Sequence, residues 1–307
     1  MGTPFISFLE PSKLEDYDRT LRHDQQPRPV SKVFLDAMSV REAVFVDEQK
    51  MPLEFEYDND DPRSCHWVIY ASVSRVVEPE VIDEATGLVI RSRRSETHSL
   101  PIGTMRIVPF PHPPHPKPDG WYEDYKLVER PGNGAKQAGG STAAKDNNVT
   151  LDGSRDTEAN RSRPRQRRHH PCRHPNPTPY AQDRATTLHD GQEPYMKVGR
   201  LAVLPAYRGR HIAGQLWTAA RRWLEANPRY FDPSVTEKGM DALNAEQASE
   251  IPRWGGLVCA HAQEAVVKTY QRWGFQIDEG MGRWYEEGVP HVGMFTRLNT
   301  KHVPAQV

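Results

Sequence analysis

Cysteine is scarce in this chain, and no long apolar run occurs. Cys65, Cys172 and Cys259 are widely spaced and odd in number, so they form no disulfide framework, and a reducing compartment is expected. No stretch approaches the roughly 18 apolar residues of a membrane span. The opening MGTPFISFLEPSKLEDYDRT lacks the basic start and apolar run of a secretory signal. The expectation is a soluble, cytoplasmic protein, with nuclear entry left open by the basic segment described below. An excess of charge of either sign is also missing: 40 Lys and Arg against 41 Asp and Glu leave a net charge of −1. No whole-chain field therefore draws the molecule to nucleic acid or to an anionic membrane.

Aromatics are absent from residues 131–179, where Val149 and Leu151 are the only large aliphatic side chains. Such a stretch cannot bury enough apolar surface to offset the entropy of ordering it. With the preceding FPHPPHPKPDG, whose prolines exclude a central strand or helix, it defines a low-complexity, mostly disordered insertion over 111–192, in which residues 121–128 have enough apolar content for a short ordered piece. Inside it, residues 161–174 (RSRPRQRRHHPCRH) concentrate positive charge. That pattern fits a nuclear-localisation signal or a nucleic-acid contact. Without interleaved aromatics it offers no stacking platform, so nucleic acid is not an expected partner and a solvated insertion is the favoured reading. His169, His170, Cys172 and His174 are too crowded to give a zinc-type ligand pair, and no metal site is expected.

The rest of the chain has the rhythm of a folded domain. Strands are expected at 5–9, 65–73, 102–110, 198–204, 256–263, 275–285 and 291–298, and helices at 33–49, 212–227 and 264–273. The polar residues 75–100 read as a long loop or an elaborated hairpin, and 229–253 as a second, smaller insertion. The order is that of a mixed α/β sheet, in one domain made of 1–110 and 193–300, with 301–307 as a tail.

Residues 197–217 (KVGRLAVLPAYRGRHIAGQLW) carry the most specific local signal. An apolar strand ends at Pro205, a turn containing Gly209 follows, and a helical pattern begins at Ile212. The first amides of a helix lack intrahelical partners and the helix dipole favours negative charge, so a strand, turn and helix start in this order make an anion site.

Four blocks in register resemble the GNAT superfamily of acyl-CoA-dependent N-acetyltransferases. GRLAVLPAYRGRHIAGQL (199–216) resembles its pyrophosphate-binding block, Arg/Gln-x-x-Gly-x-Gly/Ala. CAHAQEAVVKTYQRWGF (259–275) resembles the second cofactor block, where a tyrosine precedes a Gly-Phe pair. The front (VREAVFVDEQKMPLEFEYDNDD, 40–61) and the end (YEEGVPHVGM, 285–294) resemble a branch of small members with VF-x-x-EQ and PH-x-x-M segments. The resemblance implies a single GNAT-like α/β domain whose mixed, mostly antiparallel sheet is flanked by helices, and acetyl-CoA as co-substrate. It implies transfer of the acetyl group to a primary amine by direct attack. In that reading the backbone of Leu201, Ala202 and Val203 pairs with the pantetheine arm, and Arg208, Gly209, Arg210, His211, Ile212 and Ala213 hold the pyrophosphate.

One position departs from the motif: His211 stands where the family has its middle glycine. Its ring either faces solvent in the first helical turn or, when protonated, adds a charge-assisted contact to phosphate. Tyr270 carries over from the family tyrosine as the acid for the leaving thiolate; the alternative is a packed core tyrosine with its hydroxyl satisfied. Candidates for the base are Glu48, His261, Glu287 and His291. His261 shares a strand face with Leu257 and Cys259, which also suits a buried structural histidine, and His291 suits a register-fixing contact. Between Phe45 and Asp61 seven acidic residues accompany one lysine, either steering a cationic amine or forming a solvated loop of caps and turns. Two functions stay open: an active N-acetyltransferase, or a binding or scaffold protein of the same fold that has lost catalysis and interacts through the basic insertion. The oligomeric state is not legible.

Overall fold

The computed structural model describes residues 4–130 apart from 28 and 85, residues 183–232, residue 247 and residues 251–300. Phe5–Leu9 forms β1, whose side chains pack Phe8 against Trp67 at a ring separation of 4.8 Å. The helical rhythm after Ser31 becomes α1 (Lys32–Arg41), which continues as a π-helical stretch, Glu42–Glu48. A π-helical insertion is uncommon and recurs at functional sites; here it ends on Glu48.

Cys65–Glu78 forms β2 and Arg94–Val108 forms β5, paired antiparallel along nearly their whole lengths. The segment read as a loop or elaborated hairpin is the outer half of this pair. It carries the short β3 (Val81–Ile82) and β4 (Val89–Arg91) at its tip. The short β6 (Trp121–Glu123) and β7 (Lys126–Val128) form a hairpin. Met196–Val203 is β8, and α2 (Ile212–Ala226) follows it. Leu257–Gln263 is β9, α3 spans Val267–Arg272, and β10 (Gln276–Ile277), β11 (Arg283–Glu286) and β12 (Val289–Arg297) complete the chain.

These strands make one sheet in the order β1-β2-β5-β8-β9-β12-β11-β6-β7, with β10 on β12. All its pairings are antiparallel except β8–β9 and β11–β6. The expected mixed, mostly antiparallel α/β architecture is what the chain adopts.

Helices lie on both faces. The apolar stripe Ile212, Leu216, Ala220 and Leu224 of α2, with Trp217, packs on Val198, Ala260 and Ala262 of β8 and β9, where Tyr270 and Phe275 join the same core. Burying such a stripe is the main source of helix stability in a globular protein. The opposite face holds Val40, Val44 and Phe45 against Ala202, and a separate cluster of Leu257, Cys259, Trp284, Met281 and Phe295.

The expected insertion over 111–192 needs a correction at both ends. Residues 111–130 and 183–192 belong to the folded body. β6 pairs with β11, His115 N donates to Asp183 Oδ2 at 2.7 Å, and Thr186 Oγ1 donates to Asp278 Oδ2 at 2.6 Å. Proline punctuation excluded regular structure only as far as the turn before Trp121, and these pieces are held by the polar anchors together with Tyr122 and Leu188 packed on the cluster around Trp284 and by Trp121 stacked on Tyr285 at 4.5 Å. Residues 131–182, with the basic segment and Cys172, lie outside the described residues, as do 233–246, 248–250 and 301–307.

Candidate functional site

The parallel pair β8–β9 is matched only over Met196–Val198 against Val258–Ala260. Beyond that point the two strands separate. β8 stays with β5, where Ala202 faces Thr104 and Val203 faces Gly103, while β9 stays with β12, where His261 faces Gly293 and Gln263 faces His291. The separation begins at a bulge: the β5–β8 register slips between Thr104 and Arg106, and Arg200 sits at φ +48°. An extra residue bends its strand and increases the local twist, turning the end of β8 away from β9. The edge of Leu201, Ala202 and Val203 that faces β9 is thus left outside the ladder, a place where an extended ligand can add backbone hydrogen bonds.

The same strand ends at this opening and delivers the helix start beside it. Pro205–Tyr207 makes a 3₁₀ turn, Gly209 takes φ +74°, and His211 caps α2 in the left-handed region at φ 59°, ψ 18°. The cap makes no side-chain hydrogen bond, and the first intrahelical donor after it is Gln215 N, bonded to His211 O at 3.0 Å. The amides of Ile212, Ala213 and Gly214 therefore point out of the helix start. Two left-handed residues flanking Arg210 curl the preceding amides toward the same side, the geometry of an anion nest. Gly103 lets the helix approach this closely: a Cβ there would lie 3.0 Å from Ile212 Cγ2. The Arg210 guanidinium lies over the Tyr207 ring at 6.0 Å.

Glu48 and Arg208, offered separately by the sequence as a base and a phosphate ligand, are partners. Arg208 donates from both terminal nitrogens to the two Glu48 oxygens at 2.7 and 2.6 Å, and from Nε to Val203 O at 2.9 Å. The bidentate bond to Arg208 holds the Glu48 carboxyl below its usual range, which makes it a poorer proton acceptor.

Six of the seven acidic residues between Phe45 and Asp61 are engaged by basic groups. Asp47 meets Arg22, Glu48 meets Arg208, and Asp60 meets Arg63 and Lys197. Glu56, Asp58 and Asp61 form a buried network with Arg41, Arg106 and Arg200, which Tyr125 joins through its hydroxyl on Asp58 Oδ2 at 2.9 Å. Burial opposes ionisation of Asp58, but the charges of Arg106 and Arg200 outweigh it and hold its carboxyl well down. The segment expected either to steer a cation or to form a solvated loop is largely a set of neutralised pairs, and its buried part ties residues 56–61 to α1, β5 and β8.

The other base candidates fall on the face of α1, around a residue the sequence reading missed. His261 Nδ1 is 3.6 Å and His291 Nε2 3.9 Å from the two oxygens of Glu286. Trp284 Nε1 donates to the same carboxylate at 2.7 Å, and its ring meets His261 edge-on at 4.9 Å. Glu287, the glutamate named from sequence, stands in the following turn at φ +48° and accepts Asp124 N. Tyr270 lies on the opposite face, buried between Trp273 and Phe275. Burial pushes its phenol up, so the proton is firmly held.

No protein-family model matches the chain, and no curated protein matches it. Solved structures do. A Lactobacillus plantarum structure described as a "putative N-acetyltransferase" is similar with 17% identity and a TM-score of 0.41, over 97% of this chain and 100% of that one. An acyl-CoA N-acyltransferase from Pseudomonas aeruginosa follows with 14% identity and a TM-score of 0.39, over 95% and 99%. ElaA of Escherichia coli shows 13% identity and a TM-score of 0.39, over 96% and 100%. Values this low carry no residue role to this chain.

The cofactor-side residues named from sequence are contiguous in space: Leu201–Val203 form the free strand edge and Arg208–Ala213 the helix start. Among the catalytic candidates, His261 and His291 come together, Glu48 goes to Arg208, and Tyr270 enters the core beneath α2. Among the described residues, no group of three or more His, Cys, Asp or Glu side chains is arranged to hold a metal ion. No described helix is long and apolar enough to cross a membrane. Cys65 and Cys259 are buried and free.

Proposed function

We propose that this protein is an acyl-CoA-dependent N-acyltransferase that moves an acetyl group from acetyl-CoA to a primary amine. One observation carries the reading. A parallel strand pair opens beyond Val198, and an uncapped helix N-terminus with a left-handed nest stands beside the opening. An extended arm that ends in an anion fits that shape: pantetheine along Leu201–Val203, and pyrophosphate on the amides of 209–214. Phosphate arriving at this start would compete with Glu48 for Arg208. Such an exposed pair is worth only about 1 kcal/mol, so the guanidinium is readily redirected.

The chemistry follows from the placement. The thioester carbonyl sits in the opening, where a β8 amide stabilises the developing oxyanion. The amine enters from the face of α1, where the histidines are, and its nitrogen attacks the carbonyl carbon. The C–S bond then breaks, and the thiolate takes a proton from Tyr270 on the α2 face, a transfer allowed because the desolvation that raises the phenol also raises the thiol formed beside it. Acid and base on opposite faces suit a direct attack through the gap. The acidic segment, already neutralised by basic partners, adds no preference for a cationic amine.

Thiol release from acetyl-CoA, assayed with polyamines, amino sugars, arylamines and peptide N-termini, tests this. The expected result is release that depends on one class of amine and falls about 10- to 100-fold in Tyr270→Phe, with acetyl-CoA affinity little changed. Release that is independent of every amine would exclude transfer to nitrogen. An unchanged rate in Tyr270→Phe would remove that residue from its role.

A further inference from the structure

We propose that His261 is the group that takes the proton from the acceptor amine and that Glu286 is its positioning residue, an inference that rests on the acyltransferase reading. His261 is one residue beyond Ala260, the last residue of β9 opposite β8. Strand alternation places it, with Cys259 and Gln263, on the face where the end of the π-helical stretch reaches β9: Gln263 Nε2 donates to Gln49 Oε1 at 3.1 Å. The imidazole therefore stands where the two strands part.

Its two nitrogens are not alike. Nδ1 faces Glu286 Oε1 at 3.6 Å, and that oxygen is fixed by the Trp284 indole N–H at 2.7 Å. A carboxylate on this side favours the tautomer with hydrogen on Nδ1 and leaves a lone pair on Nε2. Nε2 is buried and makes no hydrogen bond among the described residues. A structural histidine usually has both nitrogens satisfied. One oriented nitrogen and one bare one is instead the arrangement of a proton acceptor held by its partner. His291 does not share it, because its Nδ1 is tied to Val289 O at 2.8 Å; His112 and His115 each also leave one buried ring nitrogen bare, but they precede β6 and do not lie on the strand that parts from β8.

Electrostatics agree with the geometry. Burial holds His261 below the ordinary imidazole range, only partly offset by Glu286, so the ring is neutral near pH 7. Burial alone would raise Glu286, but the charge of His291 and the contacts of His261 and Trp284 outweigh it and keep the carboxylate ionised. Lys197 on β8, His291 on β12, and His112 and His115 before β6 are the other titratable groups whose charges reach this ring.

The step balances without another reactant. The amine lone pair forms the N–C bond, Nε2 takes one N–H proton, and that bonding pair stays on nitrogen. Collapse of the tetrahedral centre expels the thiolate, which is protonated to coenzyme A. His261 then returns its proton to solvent, and an amide and a thiol are the products.

The test uses the full chain with His261→Gln, Glu286→Gln and Glu286→Asp, and measures acetyl-CoA affinity, amine-dependent thiol release against pH, and the His261 ring titration by NMR. His261→Gln should lose on the order of 100- to 10,000-fold in turnover with acetyl-CoA affinity within about twofold. Glu286→Gln removes an anion that favours the imidazolium. The His261 midpoint, and the acid limb of the rate profile with it, should therefore move down by about one pH unit; Glu286→Asp should restore part of the shift. A His261 midpoint unmoved in Glu286→Gln overturns the pairing even if no acceptor amine is known. Full turnover in His261→Gln overturns its role as base while leaving the acyltransferase reading intact. Failure of the wild-type chain to bind acetyl-CoA would instead sink that reading itself.

Discussion

His211 caps α2 at φ 59°, ψ 18°, a region where side chains are strained but where histidine is tolerated more often than most. The turn at this position takes a left-handed backbone angle, which a histidine adopts at a cost of about 1 kcal/mol. A β-branched side chain there meets a larger penalty, because both of its γ atoms crowd the backbone. His211→Val is expected to lower unfolding free energy by about 1–2 kcal/mol in urea titrations and to weaken acetyl-CoA binding. His211→Gly is expected to keep both within about 1 kcal/mol. Stability unchanged by valine would mean that the left-handed cap is not needed. The residue scale also marks the limit of the sequence. Choosing Glu286 over Glu287 depends on where the last turn falls. Glu287 and Gly288 both take positive φ and form a two-residue hairpin turn between Glu286 and Val289. Moving that turn by one residue would exchange the faces of the two glutamates.

At the scale of elements, the segments with an apolar period were legible. The Ile212, Leu216, Ala220 and Leu224 stripe and the buried run of β9 gave their elements within a few residues. The outer halves of β2 and β5 were not, because their side chains are mostly exposed and polar. The ladder itself and charges such as Glu78 with Arg91 and Arg94, across the ribbon at 3.6–3.7 Å, hold them rather than a buried face. The π-helical stretch was hidden too, since its residues keep a helical apolar rhythm and only the hydrogen-bond step changes. The PHVGM block owes its form to packing. Gly293 faces a buried Met281, whose Sδ would lie 2.1 Å from a Cβ at that position, and Met294 on the other face is fully buried in the core of α2.

At the scale of the whole molecule, two buried populations, one ionised and one neutral, set how stability responds to pH. In one, Arg41, Arg106 and Arg200 neutralise Glu56, Asp58 and Asp61. Asp58 and Asp61 have folded pKa values below their ordinary ones, so their contribution is present above about pH 4 and is lost as pH falls through the folded values. In the other, His66 and His115 are buried neutral, with burial lowering each to about 4. Their ordinary value is about 6.5, so an unfolded chain binds protons that the folded one refuses. Stability should therefore begin to fall below about pH 6.5, before the carboxylates titrate, with each histidine contributing on the order of 3 kcal/mol by pH 4. Urea midpoints measured from pH 8 to pH 4 check this, and a midpoint flat to pH 4.5 would contradict it. Isothermal titration of the full chain with acetyl-CoA tests the opening between β8 and β9. The expected result is saturable one-to-one binding that inorganic pyrophosphate weakens by competition for the start of α2. Absence of binding, or binding that pyrophosphate leaves untouched, would contradict it.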